Sequence, residues 1–98
     1  MDRVASLLEE ITRMPEMGTL ERAAPNFLND VAEIYERHGA GATRAYLLTQ
    51  LTRRNKPEVP LLLKLLDKLE LCPEVRTNRA IGRQIIKCLF FLKKGVRR

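Results

Sequence analysis

Few residues in this chain have the type and spacing to do chemistry. Its 98 residues include one histidine, His38, and two cysteines, Cys72 and Cys88. A zinc site draws several Cys, His or carboxylate ligands together at short fixed spacings, and neither cysteine belongs to a C-x-x-C pair, so no metal site is expected. His38 stands beside Gly39, where a helix should end and an imidazolium interacts favourably with the helix dipole; nothing nearby would orient it as a base. Cys72 precedes a proline and Cys88 falls on or beside an apolar stripe, so both read as small core residues. Glu9-Glu10 lies on a solvated helix face. Neither Gly39 nor Gly41 is followed by the lysine that a phosphate-binding loop requires. The expectation is a protein that is not an enzyme and holds no cofactor.

The remaining chemistry is electrostatic. Residues 1–36 hold eight acidic and three basic residues, whereas residues 37–98 hold fifteen basic and four acidic, within a net charge of +6. The chain is therefore a charge dipole along its sequence. Arg76, Arg79, Arg83 and Lys87 recur at +3, +4 and +4, the spacing of one helix face. Such a row could track nucleic-acid phosphates or grip carboxylates. No aromatic interleaves with it, so the stacking platform of a single-strand binder is missing. Phe90-Phe91 follows the row, and with Leu92 it could form an apolar anchor beside basic residues, Lys94 among them, for an acidic and apolar peptide. The competing reading makes the row a solvated face and both rings core.

These side chains have to be carried on helices. No stretch alternates apolar with polar residues and no Asn-Gly or Asp-Gly turn occurs, so strands are not expected. Residues 58–71 form the centre of the pattern: Leu62, Leu65, Leu66 and Leu69 make one stripe, and Leu61, Leu63 and Leu71 spread apolar surface past it. A helix apolar over so much of its circumference should be sandwiched between others. Upstream, Asp2 can cap a helix carrying Val4, Leu7, Leu8 and Ile11 inward, which Met14-Pro15 ends. Thr19 can cap a short segment, and a helix from about residue 25 buries Phe27, Leu28, Val31, Ala32, Ile34 and Tyr35 until His38-Gly39 closes it with a left-handed cap. Gly39-Ala40-Gly41 is the expected connector and hinge. Thr43 can cap the next helix, Asn55-Lys56-Pro57 turns into the leucine helix, and a last helix runs from behind Pro73 to Lys94 with Ile81, Ile85, Leu89 and Leu92 inward. The fold class predicted is all-α, a compact bundle of about five helices in one domain spanning 1–98 with a basic tail at 93–98.

Residues 43–95 resemble the TFIIS N-terminal domain, the helical bundle of transcription elongation factors. Leu62 to Glu70 is similar to that family's leucine-rich helix, and Ile81-Gly82-Arg83-Gln84-Ile85 is similar to its Ile-Gly-Lys-x-Val core. Arg79 stands where the family has threonine and Cys88 where it has leucine, and the closing Trp-Lys helix is absent. The resemblance implies Leu65, Leu66, Leu69, Ile81, Gly82 and Ile85 as the motif core, Gly82 letting helices approach closely, and a non-catalytic scaffold docking short peptides beside Ile81 and Ile85.

The functional expectation is a protein-protein interaction module, transcription-related by that resemblance, with Arg79, Arg83, Lys87, Phe90, Phe91 and Lys94 contacting a protein or peptide partner. Two alternatives stand beside it. One is a small basic nucleic-acid-binding protein using the C-terminal helix. The other is a homotypic, death-domain-like assembly module in which the acidic half of one copy meets the basic half of the next. A charged N-terminus and the lack of a long apolar run predict a soluble intracellular protein, nuclear if eukaryotic, with no membrane partner and no small-molecule substrate.

Overall fold

The computed structural model describes residues 3–22, 25–54 and 58–91. Among these there is no strand: α1 (Arg3–Thr12), a 3-10 helix (Pro15–Arg22), α2 (Pro25–Arg54), α3 (Val59–Glu70), α4 (Pro73–Thr77) and α5 (Arg79–Lys87) follow one another, so the all-α bundle holds. Among the described residues no helix is long and apolar enough to cross a membrane. Asp2, the Asn55-Lys56-Pro57 turn, Leu92, Lys94, Gly95 and the 93–98 tail lie outside the described residues.

Apolar spacing explains the first elements. Leu7 and Ile11 of α1 are buried, with Val4 and Leu8 packed at the edge of the core. The chain then tightens: Ile11, Met14, Met17 and Leu20 are all buried, at intervals of three. Three residues per turn is the 3-10 period, so this spacing keeps one face on the core. Thr19 sits inside this helix, its hydroxyl donating 2.7 Å to the Glu16 carbonyl, and is not a cap.

Pro25 starts α2, as its fixed φ suits a first turn. Only Gly39 interrupts the segment, with φ 89° and ψ −177°. That combination is the extended positive-φ region open essentially to glycine, not the left-handed helical cap expected at this position. The reversal is sharp. In a straight helix Phe27 and Tyr46 would stand about 28 Å apart, yet their rings stack with centroids at 6.2 Å. Two arms, 25–38 and 40–54, therefore fold back on each other around one residue. Ala40 and Gly41 belong to the second arm, and Thr43 is one turn within it, fully buried, its hydroxyl donating 2.8 Å to the Gly39 carbonyl.

The leucine helix is central as predicted. Val59, Leu61, Leu62, Leu65, Leu66 and Leu69 are buried, and α3 touches α1, the 3-10 helix, α2 and α4. Burying each leucine contributes about 1.5–3 kcal/mol, so α3 is a major source of the apolar stabilisation, beside Phe27, Leu28, Val31, Ala32, Tyr35 and Leu47 of α2. Leu71 departs from the expectation: it lies beyond the last turn and is 82% exposed. Lys64 pairs with Glu16 and Arg44 with Asp67 across its solvent side.

A single last helix does not form. Asn78 is extended (φ −138°, ψ 90°) and its side chain accepts from the Ala80 amide at 3.2 Å, an N-cap that starts α5 afresh. Arg76 is therefore on α4 and does not share a helix face with Arg79, Arg83 and Lys87. After Cys88 a further turn carries Leu89, Phe90 and Phe91.

Candidate functional site

The packing of α5 on the first arm of α2 decides where the predicted site residues point. The contact rests on Gly82: a Cβ there would stand 2.9 Å from Tyr35 Cζ and 3.0 Å from Val75 Cγ1, and would overlap the edge of the Tyr35 ring further. Lacking a side chain, Gly82 forms the notch in which the ring lies. Tyr35 is 1% exposed, and burial pushes its phenol above its ordinary 10.0, with the Glu70 charge acting in the same direction. The close helix approach expected of Gly82 is present.

Around this notch the two charge halves of the sequence meet. Arg83 Nη1 lies 3.3 Å from Glu36 Oε1, and Lys87 Nζ lies 3.9 Å from Glu33 Oε1. Glu33 also pairs with Arg37 at 3.5 Å. Arg79 Nη2 donates to the Arg37 carbonyl at 3.5 Å, and its Nη1 is 2.7 Å from where a Cβ on Gly39 would be. Arg79 thus supplies a donor and a positive charge to the carbonyl end of the first arm, where both are favourable. Since 79, 83 and 87 descend along 37, 36 and 33, α5 runs antiparallel to that arm. The row predicted to hold an anionic partner is brought together on one face, and each of its three members has a contact inside the chain. Arg83 Nε is buried without a hydrogen-bond partner.

At the far end of α5 the two phenylalanines divide. Phe90 packs partly against the core, whereas Phe91 is 71% exposed, the largest apolar side chain left open there. Lys94 lies outside the described residues. Of the motif residues, Leu65, Leu66, Leu69, Gly82 and Ile85 are buried and Ile81 is half-buried, so they serve packing rather than an open groove.

Sequence reasoning missed a cleft on another face. Arg3, Ser6, Leu7 and Glu10 of α1, Lys68 of α3, Leu71 and Cys72 line a cavity of about 320 Å³. The signals were present: Arg3, Leu7 and Glu10 share a face of α1, and Lys68 and Leu71 are three apart at the end of α3. Glu58, buried at 2%, is also unforeseen, its Oε2 lacking a partner. Both cysteines are free thiols. Among the described residues no cluster of His, Cys, Asp and Glu is placed to hold a metal ion. Comparison of the chain with family models, with curated proteins and with solved structures found no match.

Proposed function

We propose that this chain is a non-catalytic interaction module that docks a short acidic and apolar peptide segment of a partner protein at the Phe91 end of α5. The observation that carries this is Phe91 itself. An aromatic ring 71% exposed one turn beyond the end of α5 stands four residues past Lys87, the cation of the row with the longest internal contact (3.9 Å to Glu33), so an apolar anchor follows closely on a positive charge, the combination such a peptide recognises. Aromatic anchors contribute disproportionately to protein interfaces. The finer reading, a transcription-related nuclear scaffold, rests on the resemblance of Ile81-Gly82-Arg83-Gln84-Ile85 to the TFIIS N-terminal motif.

Phe91 is also the cleaner probe. Arg83→Glu would set a carboxylate against Glu36 and disturb the α2 contact, whereas Phe91→Ala removes a ring with little burial. A fluorescein-labelled peptide Asp-Glu-Leu-Phe-Asp-Glu-Leu-Asp, followed by anisotropy, should bind the intact chain, and Phe91→Ala should weaken it roughly tenfold or more. An unchanged affinity would overturn the assignment of the site. Binding of a short DNA duplex that collapses between about 50 and 200 mM salt would replace it with the nucleic-acid reading.

A further inference from the structure

The reversal inside α2 is made without a loop. Thirty residues from Pro25 to Arg54 are helical on both sides of Gly39, and the chain turns back at that residue alone. No proline stands between Pro25 and Pro57, and Ala40, Gly41 and Ala42 are already helical. Nothing in the covalent chain therefore opposes one straight helix about 45 Å long. Gly39 would only have to leave φ 89°, ψ −177° for the ordinary helical region, which glycine also enters.

Little at the bend itself holds it shut. In an unbroken helix the Arg37 carbonyl accepts from the Gly41 amide, four residues on. In the bent chain Arg79 Nη2 donates to that carbonyl at 3.5 Å, longer than the usual ~3 Å. The contacts that keep the fold closed lie elsewhere and join the half before Gly39 to the half after it. The Tyr35 ring fills the Gly82 notch, Phe27 stacks on Tyr46, Glu36 pairs with Arg83, Glu33 with Lys87 and Glu16 with Lys64. None of these contacts requires both halves to belong to one chain.

We infer that this protein forms a domain-exchanged dimer with a second copy of itself, in which α2 is straight and the half before Gly39 packs on the other copy's second half. The two straight helices then lie antiparallel, each Phe27 stacking on the other copy's Tyr46. The two-fold axis passes beside Gly39, where Ala40, Gly41 and Ala42 leave room for the helices to approach. Bent and exchanged forms share one interior, so Gly39, Arg79 and protein concentration set the choice between them. Phe91 takes no part, and the inference does not rest on the docking proposal.

Sedimentation velocity reads the exchange. The intact chain, refolded from urea, should be monomeric at about 5 μM and contain dimer at about 500 μM. Gly39→Ala closes the bent conformation and improves the straight helix, so it should raise the dimerisation constant at least roughly tenfold. The loss of stability in that variant should then be seen only below the range in which dimer forms. Arg79→Ala should act in the same direction. Native mass spectrometry identifies the interface. Copies carrying Gly39→Ala with Glu36→Arg are mixed with copies carrying Gly39→Ala with Arg83→Glu and refolded together. An exchanged heterodimer sets the new arginine against the new glutamate and the untouched Glu36 against the untouched Arg83, whereas either homodimer sets like charges together at both places. Heterodimers should therefore exceed the statistical half. A mixture with Asp30→Arg in one copy and Arg76→Glu in the other, which carries the same net charges at positions that form no ion pair with each other, should stay statistical. The inference is overturned by an intact chain without dimer at about 500 μM, or by a Gly39→Ala chain that is folded and monomeric there or unfolded at every concentration. It is equally overturned by a dimer whose charge-exchanged copies pair at random, which would give the contact to an outer surface.

Discussion

Adding one methyl group at Gly82 and one at Gly41 should move stability in opposite directions. At Gly82 the new Cβ would stand 2.9 Å from Tyr35 Cζ and 3.0 Å from Val75 Cγ1. Neither neighbour has room to yield, since Tyr35 is almost wholly buried and Val75 entirely so. Overpacking a filled core costs about 1–3 kcal/mol, and two confined neighbours place this case at the upper end. Alanine recovers about 1 kcal/mol over glycine in a helix, leaving a net loss of about 2 kcal/mol. Gly41 is helical and exposed, and a Cβ there meets nothing within 4 Å. Only the helix gain remains, about 1 kcal/mol in favour of the fold. Thermal melts followed by far-ultraviolet circular dichroism should show Tm falling by roughly 8–16 °C in Gly82→Ala and rising by roughly 4–8 °C in Gly41→Ala. Urea titrations should give the same signs. Removing the ring as well, in Gly82→Ala with Tyr35→Ala, should cost less than the sum of the single changes, because the clash is absent. A Gly82→Ala protein within about 0.5 kcal/mol of the parent would refute the notch.

Other consequences can be measured on the same footing. Gly39→Ala should cost about 1–3 kcal/mol in urea unfolding, because its backbone conformation is closed to side chains and the Arg79 guanidinium occupies the space. Arg83→Glu and Glu36→Arg should each lower stability by up to about 1 kcal/mol at low salt, and the double exchange should restore most of it. Tyr35 sets an alkaline limit. Its phenol is held protonated above the ordinary 10.0 in the folded state, so its contribution is complete below pH 10 and declines as pH rises through and beyond that value. Urea midpoints from pH 9 to 11 should fall more steeply in the parent than in Tyr35→Phe; equal slopes would exclude the phenol as the cause.

Much of this architecture could be read from residue order because local signals and core demand agree. The leucine helix predicted at 58–71 is Val59–Glu70, and Pro15 and Pro25 bound their helices as proline chemistry dictates. The differences arise where a single residue redirects the chain. Asn78 was legible as a cap, but the run of cations at 76, 79, 83 and 87 suggested a continuous helix across it. Ile11, Met14, Met17 and Leu20 hold a three-residue period that a search for helical spacing passes over. The glycines at 39 and 41 suggested a loose connector, yet one reversal at Gly39 suffices and Gly41 propagates a helix. What periodicity cannot supply is which helix lies against which. The pairing of Glu33 and Glu36 with Lys87 and Arg83 follows only once α5 is laid antiparallel to the first arm, and that pairing changes what the basic row can offer a partner. The α1–α3 cleft is likewise a product of packing, since its lining comes from three separate stretches.

The Tyr35 and Gly82 contact also bears on how the protein is made. The ring emerges during synthesis well before the residue that covers it, and the carboxylates of Glu33 and Glu36 wait for the same arrival. Every charged residue from Arg79 onward is basic, seven in all, so residues 1–78 carry a net charge of −1 against +6 for the whole chain. A nascent or prematurely terminated chain would combine an uncovered aromatic surface with almost no net charge, the condition under which proteins associate most readily. The sequence from Arg79 onward therefore delivers both the cover for the ring and the charge that keeps molecules apart.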